Sequence, residues 1–417
     1  MGQGYSRSQN RNRVSPRSST AKGGSAVSHI WRWLAWGLLA PVLLAALGLQ
    51  LSGHGYIWRA LAATYLQGHA TAHIDDANNF EQRRIAAGAA QDWPKAPRYN
   101  QQPLAPEMQA YLKQYGTAGF LVVHNGALLH EQYFAPYDQS SRTNAFSVAK
   151  TITTMQVGMA MQQGIIASFD SAITTRLPEY ATNSWAAKAT LAQLSSMTSG
   201  HDWTENYYLP INITTELYFG KNARELVLGQ GFEREPGSAY EYSSDSAQLL
   251  GVYLQRALEA KQKDLAISAH LSRSPWQPLG MLRDGIYTLD RDGARGGIER
   301  TFCCIFATAR DFAKFGQLLL QDGRWQGQTL LDTAFVERMR KPGLKPYYGH
   351  SLWLDWQYQH PFYLMQGHQG QYVIVVPSKQ LVVVRLGQFR NKTDKGPNGI
   401  IPSEVYRFVD QAVALAQ

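Results

Sequence analysis

"GFLVVHNGALLHEQYF", residues 119–134, decides how the rest of the chain is read. Two apolar, β-prone runs flank Asn125-Gly126, the dipeptide favoured by a two-residue type I′ hairpin turn, in which both central residues need positive φ. Just downstream, "FSVAKTITTMQVGMAMQQG" (146–164) reads as a largely apolar helix ending at Gly164. A helix without a polar face is a buried one. Towards the other terminus, "GHSLWLDW", "PFYLMQG", "QYVIVVP" and "QLVVVRLGQ" (within 349–388) read as short strands joined by turn residues, an antiparallel meander. "PSEVYRFVDQAVALA" (402–416) closes the chain as an amphipathic helix with Ser403 placed to cap it. Residues of about 165–340 are helix-rich, with loops marked by "MTSGHDW", "REPGSAY" and "DRDGARGG". Strands and a helix at both ends enclose a helical insert. The expected class is therefore α+β, with an antiparallel sheet built from both ends of the domain.

The net charge of +9 is a property of the N-terminus. Arg7, Arg11, Arg13, Arg17, Lys22 and Arg32 precede the first acid, Asp75; without those six, 34 basic residues face 31 acidic ones. The body of the chain is close to neutral, and nothing in it asks for nucleic acid. Next to this tail, "WLAWGLLAPVLLAALGLQL" (33–51) has Gln50 as its only polar residue. As a helix it rises about 28 Å, near the hydrocarbon thickness of a bilayer. Trp31, Trp33 and Trp36 cluster at one end, with Tyr56 and Trp58 beyond the other, where interfacial aromatics belong. A cleaved signal peptide is the competing reading. The long basic region and the lack of a clear small-x-small site after the apolar run favour an uncleaved signal anchor. The expected organisation is a basic disordered tail over 1–28, a transmembrane anchor over 29–51, a Pro-rich connector over 52–104, and an enzymatic domain over 105–417. The basic flank puts the N-terminus in the cytoplasm and the domain outside the inner membrane. The lipid bilayer is thus an expected partner through 29–51.

The only cysteines, Cys303 and Cys304, are adjacent, which excludes an ordinary long-loop disulfide. They read as two small buried hydrophobes in "TFCCIFATA".

Ser147-Val148-Ala149-Lys150 sets a hydroxyl and an amine on one helix face. Serine needs a base to accept its proton as it attacks, and lysine serves only where burial favours its neutral form. The N-terminus of a helix also favours developing negative charge. Chance alone supplies roughly one or two S-x-x-K matches in a chain of this length, so the surrounding order of motifs matters more than the match.

That order is a hairpin, "SVAK" (147–150), "EPGSAYEYSSDSAQLLG" (235–251) and "GHQG" (367–370), with "LAQLSSMTSGHDW" and "IFATARDFAKFGQLLLQDGRWQG" between them. It resembles the serine β-lactamase-like hydrolases: class C β-lactamases, related esterases, D-amino-acid peptidases and 6-aminohexanoate-dimer-type amidases. The resemblance covers roughly 105–417 and implies the β-lactamase/penicillin-binding-protein fold, no cofactor and no metal. Carried over, it makes Ser147 the nucleophile, Lys150 its base and Tyr242 the catalytic tyrosine, its oxygen sharing a hydrogen bond with Lys150. Tyr240 takes the packed-aromatic position. The N–H groups of Ser147 and Gln371 become the oxyanion hole, Gly370 lets substrate approach the strand, and His368 and Ser244 contact substrate or its network. "SGHDWTENYY" (199–208) is then a loop over the pocket, with Trp203 and Tyr207 as substrate contacts.

Two departures narrow the chemistry. His368 stands where β-lactamases carry the lysine of K-T-G, and histidine supplies positive charge only partly near neutral pH. Ser244 stands where class C enzymes have an amide, and no separate deacylating glutamate is recognisable. The expected activity is hydrolysis of a small ester or linear amide through an acyl-enzyme, rather than of a β-lactam. A membrane-anchored binding or sensing module, and a peptidase acting on D-amino-acid or cell-wall peptides, are the alternatives.

Overall fold

A computed structural model describes residues 24–207 and 209–417, with the side chains of 24–30, 35 and 38 outside that description. The chain divides into two units, Met1–Gly55 and Tyr56–Gln417. In the first, Gly24–Leu51 is one helix that contains Pro41. Its stretch Trp31–Leu51, 21 residues with mean hydropathy 1.9, is long and apolar enough to cross a membrane. The expected tail lies outside the described residues up to position 23; residues 24–28 already belong to the helix.

The second unit is organised on a six-stranded antiparallel sheet in the order Ala127–Tyr133, Thr117–His124, Leu381–Gly387, Gln371–Val376, Phe362–Gly367, Trp353–Asp355. The N-terminal hairpin therefore docks on the last strand of the C-terminal meander. Asn125 and Gly126 have φ of 51° and 75°, as the type I′ turn requires. Both faces of the sheet are covered, so its central strands read as continuous apolar runs instead of alternating ones. One face packs Phe120, Val122, Tyr372, Ile374 and Val383 against Met108 and Leu112 of helix Pro106–Gln114 and Val405, Val409 and Ala412 of helix Ser403–Ala416. On the other, helix Ala309–Leu320 comes so close that a Cβ at Gly316 would sit 2.6 Å from Val382 and 2.8 Å from Val373. Pro402, not Ser403, is the N-cap of the last helix, and no side chain caps it.

A second antiparallel sheet orders Glu81–Ile85, Gly285–Leu289, Ile305–Ala307 and Thr143–Asn144. Its outer strand, Glu81–Ile85, comes from the stretch expected as a connector. Residues 56–104 form part of the compact unit, burying Ile74, Ile85, Trp93 and Leu104. The carbonyl of Ile74 also accepts the Asn144 N–H at 2.8 Å, bracing the segment that leads to Ser147. Helix Val148–Gln162 is buried along all but its last two residues. Its polar side chains find partners there: Thr151 Oγ1 donates to the Ser351 carbonyl, Thr153 Oγ1 to that of Thr301, and Gln156 Nε2 to that of Ile267.

The cysteines are not the pair of free, hydrophobe-like thiols expected. Cys303 and Cys304 are buried and bonded to each other as a vicinal disulfide.

Candidate active site

The turn before helix Val148–Gln162 is fixed from three sides. Ala145 N donates to the Ile305 carbonyl at 3.1 Å, and Phe146 N donates to Asn144 Oδ1 at 2.9 Å. A Cβ at Gly367 would lie 2.1 Å from the Ala145 carbonyl oxygen, so only glycine lets the sheet edge come this near. Phe146 has φ of 47°, a conformation uncommon for a non-glycine residue. Ser147 follows as the N-cap residue. Serine at this position usually accepts a helix N–H, but here its hydroxyl caps nothing. Instead Ser147 Oγ lies 2.8 Å from Lys150 Nζ.

Lys150 is 2% exposed. Its Nζ also reaches Ser244 Oγ at 3.2 Å and the Phe302 carbonyl at 2.9 Å. Burial lowers its pKa to about 8, against the opposing pull of Glu205 and Asp245, which favour the charged form. A neutral amine has two N–H groups and one lone pair. With the N–H groups on Ser244 and Phe302, the lone pair is left for the Ser147 proton.

Tyr242 stands beside this pair. Its phenol is hydrogen-bonded to Ser147, and burial pushes its pKa up, keeping it protonated. The expected hydrogen bond between Tyr242 and Lys150 is not formed; Nζ lies 5.1 Å from the centroid of the Tyr242 ring. Tyr240 packs on Tyr347 and Tyr348, at 5.7 and 5.3 Å between centroids.

Two cavities meet at Ser147. One is walled by Phe146, Tyr218, Phe219, Ser244, Phe302 and Cys303. The other is walled by Tyr242, Trp353, Gln366, Gly367 and Arg390. Tyr207 and His368 line both, their rings 5.3 Å apart, and so form the partition. Tyr207 is 38% exposed as a residue, yet its phenol is desolvated and bonded to Glu205 and Ser244. Burial, then Lys392 and Arg390, lower His368 to about 4, so its ring is neutral at physiological pH. The cation lining the cleft is Arg390.

Three expected site residues are not brought in. Gln371 is fully buried opposite Gly367, with its carboxamide bonded to the His368 and Gly387 carbonyls. It lines neither cavity. His368–Gly370 form a turn with Gln369 at φ 60°, not a continuing strand, so Gly367 and His368 occupy the place assigned to Gln371. Gly370 leaves room for protein, not substrate: a Cβ there would meet Arg385 Nη1 at 2.6 Å. Trp203 is buried behind the cleft, where its indole donates to Glu205 at 2.7 Å. Among the described residues no three His, Cys, Asp or Glu side chains converge as metal ligands would.

The sequence family described as Beta-lactamase matches residues 104–398. The chain belongs to the Beta-lactamase family. It is 25% identical over 258 residues to 6-aminohexanoate-dimer hydrolase of Paenarthrobacter ureafaciens, an alignment covering 57% of this chain and 60% of the relative. The chain thus spans about three fifths of the length of that curated relative. Among solved structures, the "Putative 6-aminohexanoate-dimer hydrolase from Bacillus anthracis" superposes with a TM-score of 0.67 at 21% identity, covering 87% of this chain and 94% of the other. A family VIII carboxylesterase gives 0.55 at 17%, covering 75% and 99%. Both share the fold, and the names of these relatives are those of hydrolases and esterases.

In this β-lactamase-family chain, sequence reasoning missed Glu205. Its Oε1 accepts the Ser244 hydroxyl at 2.6 Å, and its Oε2 accepts the Ser244 N–H at 2.8 Å as well as the Trp203 indole. Ser244 begins helix Ser244–Lys261, where an acceptor for a free N–H is worth having. Asp245, hydrogen-bonded to buried His201, was missed too. Nothing local marks either; Glu205 sits in the quoted "SGHDWTENYY", and only the fold joins that loop to Ser244.

Proposed function

We propose that the chain is a serine hydrolase that cleaves a small ester or linear amide through an acyl-enzyme on Ser147. The 2.8 Å approach of the buried Lys150 amine to Ser147 Oγ carries this reading. Lys150 takes the Ser147 proton as Oγ attacks the carbonyl carbon. The N–H groups of Ser147, at the start of its helix, and of His368, across the cleft, receive the oxyanion. Tyr242, hydrogen-bonded to Ser147, passes a proton to the leaving group as the carbonyl re-forms and is reprotonated from the Lys150 ammonium, which leaves the amine neutral again. Water then attacks the ester as Lys150 accepts its proton, and Lys150 returns that proton to Ser147 Oγ as the acid leaves.

The cavity walled by Phe146, Tyr218, Phe219 and Phe302 is lined by aromatic, hydroxyl and neutral groups, which suits an uncharged acyl portion. Arg390 on the other side suits a polar or anionic leaving portion. The relative named for a 6-aminohexanoate dimer supports a linear amide, and the carboxylesterase neighbour an ester. We further propose that Trp31–Leu51 anchors the chain in the inner membrane with the hydrolase unit outside the cytoplasm. A disulfide accords with an oxidising compartment.

The test uses the full-length chain in detergent, with a fluorophosphonate probe and a short acyl ester, beside Ser147→Ala. Labelling and turnover that vanish in the variant are expected, with no turnover of a chromogenic cephalosporin. Equal labelling of both chains would overturn the assignment.

A further inference from the structure

Two hydrogen-bond chains are possible between Ser147, Lys150 and Ser244, because each group can both donate and accept. Only one leaves the lysine lone pair facing the nucleophile. In it, Lys150 donates to Ser244 Oγ, so the Ser244 proton must point elsewhere. That elsewhere is Glu205. A carboxylate has no proton to give, and Oε1 lies 2.6 Å from Ser244 Oγ, so the hydroxyl must donate to it. Oε2 is held in turn by the Ser244 N–H at 2.8 Å and the Trp203 indole at 2.7 Å, which fix the carboxylate plane.

We infer that Glu205 is a positioning residue that sets the direction of the Ser244–Lys150–Ser147 hydrogen-bond chain and so aims the Lys150 lone pair at Ser147. The inference rests on the serine-hydrolase reading and adds the residue that positions its base.

The groups facing Lys150 are few. Ser147 and Tyr242 lie on the nucleophile side, Ser244 and the Phe302 carbonyl on the other. The charges acting on it are Glu205 and Asp245, the latter already committed to His201. Removing the Glu205 charge therefore favours the neutral amine, since that charge opposes the effect of burial.

The test is Glu205→Gln in the full-length chain. An amide can donate, so direction is lost while size is kept. We expect kcat to fall roughly tenfold, as loss of one charge-assisted hydrogen bond allows. KM should be nearly unchanged, and the acid limb of the kcat/KM profile should move to lower pH. Ser244→Ala should lose a similar factor, and the double variant no more than the single ones, because they break one chain. An unmoved acid limb with full kcat, or losses that multiply in the double variant, would overturn the role. Should Glu205→Gln lose its cooperative melting transition, Ser244→Ala carries the decision: full kcat there would equally overturn it. If the parent chain lacks Ser147-dependent turnover, the hydrolase reading itself fails, and this inference with it. Glu235→Gln, at an exposed ion pair with Lys188, serves as the control that leaves activity unchanged.

Discussion

In the proposed mechanism Lys150 is the residue on which the chemistry turns, and its titration gives a signed prediction. A base there must be neutral, and burial brings the Lys150 pKa to about 8. Activity should therefore be low on the acid side, rise through about pH 8 and level off above it, as read from kcat/KM of an ester substrate. Lys150→Arg keeps the charge but not the ability to lose it. It should cost about 10³-fold or more in kcat with Ser147 still in place. The neighbouring serine and lysine were legible because they lie one turn apart on one helix, a distance the chain itself sets. Glu205 was not. Its carboxylate reaches Ser244 across a gap of 39 residues, and an exposed-looking glutamate in a polar loop carries no local mark of such a partner. The oxyanion assignment failed for a conformational reason. Gln369 at φ 60° turns the chain at His368–Gly370, a bend that residue types without a φ preference do not announce.

Among the elements, the strand Phe362–Gly367 and the turn before helix Val148–Gln162 depend on each other through one glycine. With Ala at 367, the new Cβ would lie 2.1 Å from the Ala145 carbonyl, and one of the two segments must retreat. Gly367→Ala should retain the fold, since the strand is paired with its neighbours from Phe362 to Gly367, but should lower kcat at least tenfold by displacing Ser147. Steady-state kinetics together with a thermal melt check both halves of that statement. The hairpin and the meander were readable because turn residues and β-prone runs are local signals. Glu81–Ile85 was not, because "EQRRI" is polar and its pairing with Gly285–Leu289 is supplied by a segment some 200 residues away.

At the scale of the molecule, residues 56–104 bear on the stability of the whole. A chain begun at residue 105 exposes the hydrophobic surfaces that Ile74, Ile85 and Trp93 cover and leaves Gly285–Leu289 without its outer neighbour. Loss of buried side chains of this size costs about 2–5 kcal/mol each, comparable in sum with the stability of a typical domain. Such a truncation should yield no cooperative melting transition, whereas a chain begun at 56 should keep one, as measured by calorimetry. The vicinal disulfide also bears on the molecule as an experimental object. Its two cysteines are the only ones in the chain, and both are buried. The folded protein accordingly offers maleimide reagents nothing to react with until it is unfolded and reduced, when two labels should appear by mass. A cysteine introduced at exposed Lys113 would then be a solitary chemical handle, ready to carry a dye or spin probe without first erasing native thiols.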